Sequence, residues 1–183
     1  QWRYTDPMNH ARMHHNLVER ADLDDNKRQQ AIFELAQDYL KAGILDRAES
    51  LFRELEGTPY ARNALEFLLE LFQKEHDWLK AIAVAKKLTE VSGQSYGKQA
   101  AFFYCELAGE EIAQGNPAAA RGYLQQAFQV HPGSVRATML LGDMAGSEGR
   151  HEEAIAIWRS IETQDAQYLS LVAERLLNAY RSL

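Results

Sequence analysis

Cysteine is nearly missing from this chain: Cys105 is the single one in 183 residues. One thiol excludes an internal disulfide and any multi-cysteine metal site within the chain, and it fits a reducing compartment. Cations are short as well. Twenty Lys and Arg stand against 26 Asp and Glu, giving a net charge of −6 and an isoelectric point near 5.5. That balance argues against a nucleic-acid backbone as partner. No apolar run nears the ~18 residues needed to span a bilayer, and no secretory signal is visible. Glycine-rich phosphate loops and nucleophile elbows are absent too. Position 1 holds Gln1 rather than methionine, so the chain is expected to be a piece of a longer protein, with functional parts outside it.

What the chain has instead is recurrence. Ala48, Ala81, Ala120 and Ala154 stand 33, 39 and 34 residues apart, each opening a similar phrase such as Ala48-Glu-Ser-Leu-Phe52 or Ala154-Ile-Ala-Ile-Trp158. A period near 34 residues with paired-helix patterning is the signature of tetratricopeptide repeats. The expected fold is all-α, a right-handed solenoid of antiparallel helix pairs, and the 46% hydrophobic content is ample for it. Four repeats are expected at about 29–61, 62–98, 99–134 and 135–168. Residues 1–28 read as a partial N-terminal repeat and polar bridge, and residues 169–183 as the terminal helix of a truncated fifth repeat.

Local signals support this division. Ile32, Leu35, Ala36 and Tyr39 form a stripe at helical spacing, and Gly43 marks a left-handed helix stop. Gly57-Thr58-Pro59 ends the next helix. His76 replaces the turn glycine of the second repeat, and Asp77 is placed to cap the helix after it. Asn116 and Pro117 form a cap and first-turn pair. Small residues let two helices cross closely while an aromatic ring fills the adjacent hole, so Ala108 or Gly142 is expected against Ala120 or Ala154. Val91–Lys98, which lengthens one interval, reads as a surface insertion, with a partner-contact loop as the alternative. Asp22–Gln30 reads as a polar bridge. Ala11, Met13, Leu17 and Val18 form the apolar face of the N-terminal segment.

Chemistry finds little support. His10 and His14 share a helix face at i, i+4 spacing, as metal ligands do, but no carboxylate base stands between them, and solvated histidines are the expectation. Paired acids such as Glu66 with Glu70 lack any sign of a cleft that would raise one pKa. No catalytic residue and no metal ligand is expected, and no cofactor.

Recognition is the better prospect, on the face lined by the first helix of each repeat. Counting from repeat starts places Phe33, Gln37 and Lys41 there, then Asn63, Glu66, Glu70 and Gln73. The later repeats add Phe102, Cys105, Gly109 and Ala113, and then Arg136, Met139 and Asp143. A clamp for a peptide carboxylate needs Lys, Arg and Asn on neighbouring first helices; repeats one and two carry Gln37 and two glutamates instead, which disfavours an acidic tail there. Phe33 and Phe102 are candidate anchors, with inter-repeat packing as the alternative.

Leu35-Ala-Gln-Asp-Tyr-Leu-Lys-Ala-Gly-Ile-Leu-Asp-Arg-Ala-Glu-Ser-Leu-Phe52 resembles central repeats of the lipopolysaccharide assembly protein B family of Gram-negative bacteria, as do Phe103-Tyr-Cys-Glu-Leu-Ala108, Ser134-Val-Arg136 and Trp78-Leu-Lys-Ala-Ile82. The likeness runs from about His10 to the end; Gln1–Asn9 matches nothing in it. The resemblance implies a non-catalytic adaptor with an N-terminal membrane helix, a cytoplasmic repeat array at the inner membrane and a C-terminal zinc ribbon. It implies partners as well, a membrane AAA+ protease and the committed-step lipopolysaccharide deacetylase whose turnover it promotes. The anchor and the zinc ribbon have no counterpart in this sequence. A repeat scaffold of another envelope assembly and the regulatory repeat domain of an enzyme remain as alternatives. Self-association through exposed repeat ends is a further expectation, with Leu169, Val172, Leu176 and Leu177 as its surface.

Overall fold

The computed structural model describes residues 7–20 and 22–183, with side chains from His10 onward apart from residue 21; residues 1–6, within the stretch that matched no family, lie outside it. All regular structure among the described residues is helical, and the chain divides into two compact units, 1–94 and 95–183. The first unit holds α1 (Pro7–Val18), α2 (Asp25–Lys41), α3 (Leu45–Glu54), α4 (Ala61–Lys74) and α5 (Trp78–Ser92). The second holds α6 (Gly97–Ala113), α7 (Pro117–Val130), α8 (Val135–Ser147), α9 (His151–Arg159), α10 (Ile161–Gln164), a 3-10 turn at Ala166–Tyr168 and α11 (Leu169–Arg181). Within each unit, sequential helices pack in pairs joined by tight turns, the tetratricopeptide pattern.

Those turns follow from backbone chemistry. Gly43 takes φ +74°, a left-handed conformation that a Cβ disfavours. His76 does the same job at φ +58° with a side chain attached, and its ring stacks on Trp78 at 5.0 Å. Asp77 then caps α5, its carboxylate accepting from the Lys80 backbone N–H at 3.2 Å. Asn116 departs from expectation: α7 does begin at Pro117, but the Asn116 side chain makes no cap bond and donates its amide to Glu111 Oε2 at 2.9 Å.

Ala48, Ala81, Ala120 and Ala154 are all fully buried. In the last pair the small residues of α8 meet an aromatic ring: a Cβ on Gly142 would sit 2.3 Å from the Trp158 indole Nε1. Gly146, one turn on, borders both Trp158 and Ala154, where an added Cβ would lie 3.3 Å from the indole and 3.8 Å from the alanine methyl. The absence of side chains at both positions is what lets the indole lie against α8.

The amino-terminal reading needs three corrections. Asp22–Gln30 is not a bridge throughout, because α2 starts at Asp25; Asp24 caps it, accepting from the Lys27 N–H at 2.9 Å. Met13 points to solvent rather than into the core. His14 is no solvated histidine: its Nδ1 lies 2.8 Å from Asp38 Oδ2 and its Nε2 3.1 Å from Glu34 Oε2, tying α1 to α2. Asp38 is buried, and a buried carboxylate demands such a partner. The Val91–Lys98 stretch is shared out: α5 continues to Ser92, Gly93 ends it at φ +68°, and α6 has begun by Gly97.

Candidate protein-docking groove

The second unit carries a groove of about 770 Å3 on its first-helix face. From α6 come Lys98 and Phe102. The turn into α8 adds His131, Gly133 and Ser134, and α8 itself adds Val135, Arg136, Met139, Leu140 and Asp143. The far side consists of Gln164, Asp165 and Tyr168, followed by Leu171 and Arg175 of α11. Four of the residues placed on this face by repeat counting, Phe102, Arg136, Met139 and Asp143, thus line one concavity.

Three side chains give the groove its apolar character at the surface. Phe102 is 37% exposed, Tyr168 44% and Leu171 52%. Burying such side chains under a partner is worth roughly 25 cal/mol per Å2 of apolar surface. The charged groups around them are largely matched across neighbouring helices. Arg136 of α8 pairs with Glu106 of α6, and its guanidinium lies 5.2 Å from the centre of the Phe102 ring. Arg175 Nε donates to Asp143 Oδ1 at 2.7 Å, and its Nη1 donates to the Leu171 carbonyl at 2.8 Å. Asp165 accepts from the Gln167 N–H at 3.1 Å. Thr138 and Gln164 are hydrogen-bonded side chain to side chain, joining α8 to α10.

The other candidates lie elsewhere. Cys105 falls on the counted groove stripe but is wholly buried in the core beside Ala101, Ala108, Ala120 and Leu124. Burial pushes its thiol up to about 11 against a partial opposing hydrogen bond from Ser134, so the thiol stays protonated at neutral pH. Ala113 is exposed at the end of α6, outside the groove lining. Phe33 sits in an aromatic cluster of the first unit, 5.9 Å from Phe52, 5.6 Å from Tyr60 and 5.7 Å from Phe67. Gln37 is half-buried on the same helix, and Asn63 is exposed on α4. Glu66 is held by Arg62 at 3.0 Å and Glu70 by Lys74 at 2.7 Å. Val172 faces the core of the second unit, leaving Leu177 as the exposed member of the expected self-association surface.

Lys98, Tyr168, Leu171 and Arg175 escaped the residue count. The register had a signal for two of them: Met139 to Leu171 and Asp143 to Arg175 are each 32 residues, close to one repeat. Among the described residues, no group of three or more His, Cys, Asp or Glu side chains is arranged to hold a metal ion. No described helix is long and apolar enough to cross a membrane.

Comparison with family models agrees with this architecture. Residues 105–168 match the tetratricopeptide repeat family model. Lipopolysaccharide assembly protein B of Escherichia coli K12 is 32% identical over 173 residues, covering 94% of this chain and 44% of that protein. The Haemophilus influenzae protein of the same name is 33% identical over 151 residues, covering 82% of this chain and 38% of its own length. A thermophilic tetratricopeptide protein of Thermus thermophilus superimposes with a TM-score of 0.41 at 20% identity, covering 95% of this chain and 98% of that one. The chain spans less than half the length of the curated relatives it matches. Its helix pairs follow the tetratricopeptide pattern, whose family model matches residues 105–168, and the chain resembles lipopolysaccharide assembly protein B over nearly all of its own length.

Proposed function

We propose that this chain is a docking module whose second-unit groove seats a segment of a partner protein, with no bond-making of its own. One observation carries the reading: exposed apolar side chains and a concave space coincide on the first-helix face, with Phe102, Met139, Tyr168 and Leu171 around it. Surface-exposed apolar clusters framed by paired charges are typical of interaction sites. Holding one protein beside another raises their effective concentration without chemistry.

Similarity to lipopolysaccharide assembly protein B supports a role in regulating lipopolysaccharide synthesis. The proposed partners are a membrane AAA+ protease and the committed-step deacetylase, brought together at the cytoplasmic face of the inner membrane so that the deacetylase is degraded. The zinc ribbon of that family does not fit this chain, since Cys105 is its single, buried thiol, and no step is assigned to a metal. The test is capture of purified deacetylase and protease on the immobilised chain, alongside a Phe102→Ala/Leu171→Asp double variant with unchanged helical circular dichroism. The docking reading expects the wild type to retain at least one of them and the variant to lose it. Equal capture by both chains would overturn it.

A further inference from the structure

We infer that His14 is a latch operated by a proton. As an imidazolium it holds α1 on α2; when the ring gives up its proton, α1 comes away and uncovers part of the inner face of α2. The latch lies in the first unit and is independent of the groove. The His14 Nδ1 donates to Asp38 Oδ2 at 2.8 Å, and its Nε2 lies 3.1 Å from Glu34 Oε2. Both acceptors stand on α2, one turn apart. A neutral imidazole has one N–H and one lone pair. With its hydrogen on Asp38, a neutral ring would turn the Nε2 lone pair toward a carboxylate oxygen, acceptor against acceptor. Only the imidazolium serves both contacts.

Burial makes that proton matter. Asp38 is 6% exposed, and a carboxylate withdrawn from water depends on its counter-charge. Among the described residues, His14 is the cation paired with it. The other charged groups around this helix pair are engaged elsewhere. His15 of α1 faces Glu19 at 3.8 Å, Arg28 of α2 donates to the Arg20 carbonyl at 3.2 Å, and Arg47 of α3 reaches Tyr39 Oη at 3.4 Å. His10 stands one turn before His14 on α1. Glu34 is half-exposed and can turn to water, whereas Asp38 reaches water only if the helices part. Ala11, three residues before His14, is buried, and Ala31 and Leu35 share the Asp38 stripe of α2. Opening would expose these apolar positions. Because the closed state binds the proton, closure is firmest toward the acid end of the interval in which histidines change charge, and it weakens as pH rises.

Hydrogen exchange of the full chain, read by mass spectrometry and corrected for the intrinsic pH dependence of amide exchange, tests the latch from about pH 5.5 to about pH 8.5. Opening of α1 should increase about tenfold across that interval, with α6 to α11 unchanged. His14→Gln keeps a neutral donor and acceptor, so α1 should be open at both ends of the interval without a slope. In the wild type, nitrogen NMR of the His14 ring should show two N–H groups at the acid end and one at the alkaline end. Opening of α1 that ignores pH, or an equal slope in His14→Gln, would overturn the latch. So would a wild-type ring carrying a single N–H throughout while α1 stays protected, a result that needs no variant.

Discussion

Phe33 and Phe102 occupy matching stripes on first helices of the two units, yet their surroundings differ. In the first unit, Phe52 and Phe67 stack at 5.3 Å with an interplanar angle of 3°, and Phe33 closes an aromatic cluster with them and Tyr60. In the second, Phe102 meets the edge of Phe103 and the guanidinium of Arg136, and 37% of it remains exposed at the groove. The lesson is that helical phase alone does not decide whether an aromatic is core or contact. The neighbours differ: rings arriving from α3, α4 and the turn before α4 pack around one phenylalanine, while the other lies beside Phe103 and a guanidinium at the edge of a concavity.

The comparison is broken most forcefully through stability. Phe52→Ala, which removes a fully buried ring from the cluster, should lower unfolding free energy by about 3–5 kcal/mol. Phe33→Ala should lower it by about 1.5–3 kcal/mol, and Phe102→Ala by less than about 1 kcal/mol. Urea titration followed by circular dichroism orders the three; a Phe102 loss equal to that of Phe33 would make it a core residue and remove it from the groove account.

Crossing geometry gives the next largest effect. Gly142→Ala drives a methyl into the Trp158 indole and should destabilise the second unit by about 1–3 kcal/mol, and Ala120→Leu should do so to a similar extent. A smaller, Trp158→Phe background should relieve part of the Gly142→Ala loss, which a double-mutant cycle would register as coupling. Additive losses would mean that the two residues do not share the contact.

Much of this was legible from periodicity. A stripe of apolar residues every three or four positions, with alanine at a 33–39 residue interval, is a local pattern and survives folding unchanged. Sequence reasoning went astray where a long-range partner decides the outcome. Met13 and His14 are adjacent, and only the buried Asp38, 24 residues on from His14, explains why the histidine turns inward and the methionine outward. Cys105 sits a small step around the helix circumference from the groove stripe, enough to move a side chain from groove to core. Four of the fifteen groove-lining residues, Phe102, Arg136, Met139 and Asp143, came from the repeat count, because they fall within clear repeats. Tyr168 was missed because it stands in the 3-10 turn before α11, outside any helical stripe, and Leu171 because the count stopped at the fourth repeat although the register continues to it.

The smallest effect is one of pH. Cys105 ionises near 9 in an ordinary setting and is pushed up to about 11 by burial. The unfolded chain therefore gives up this proton first. The stability contributed by the neutral thiol is complete below about pH 9 and is lost as pH rises toward about 11. Cys105→Ala should flatten the fall of the urea midpoint across that interval, whatever its offset at neutral pH, and native Cys105 should resist alkylation at pH 8. An identical slope in the two chains would show that other groups govern it.

Calorimetric titration of a captured partner into two refolded variants side by side bears most directly on the central claim. One variant is Phe102→Ala/Leu171→Asp in the second unit, and the other is Glu66→Gln/Glu70→Gln on the first-helix face of the first. Docking in the groove predicts a loss of affinity of about tenfold or more for the former and a change within about twofold for the latter. The reverse order, or no loss in either, would contradict it.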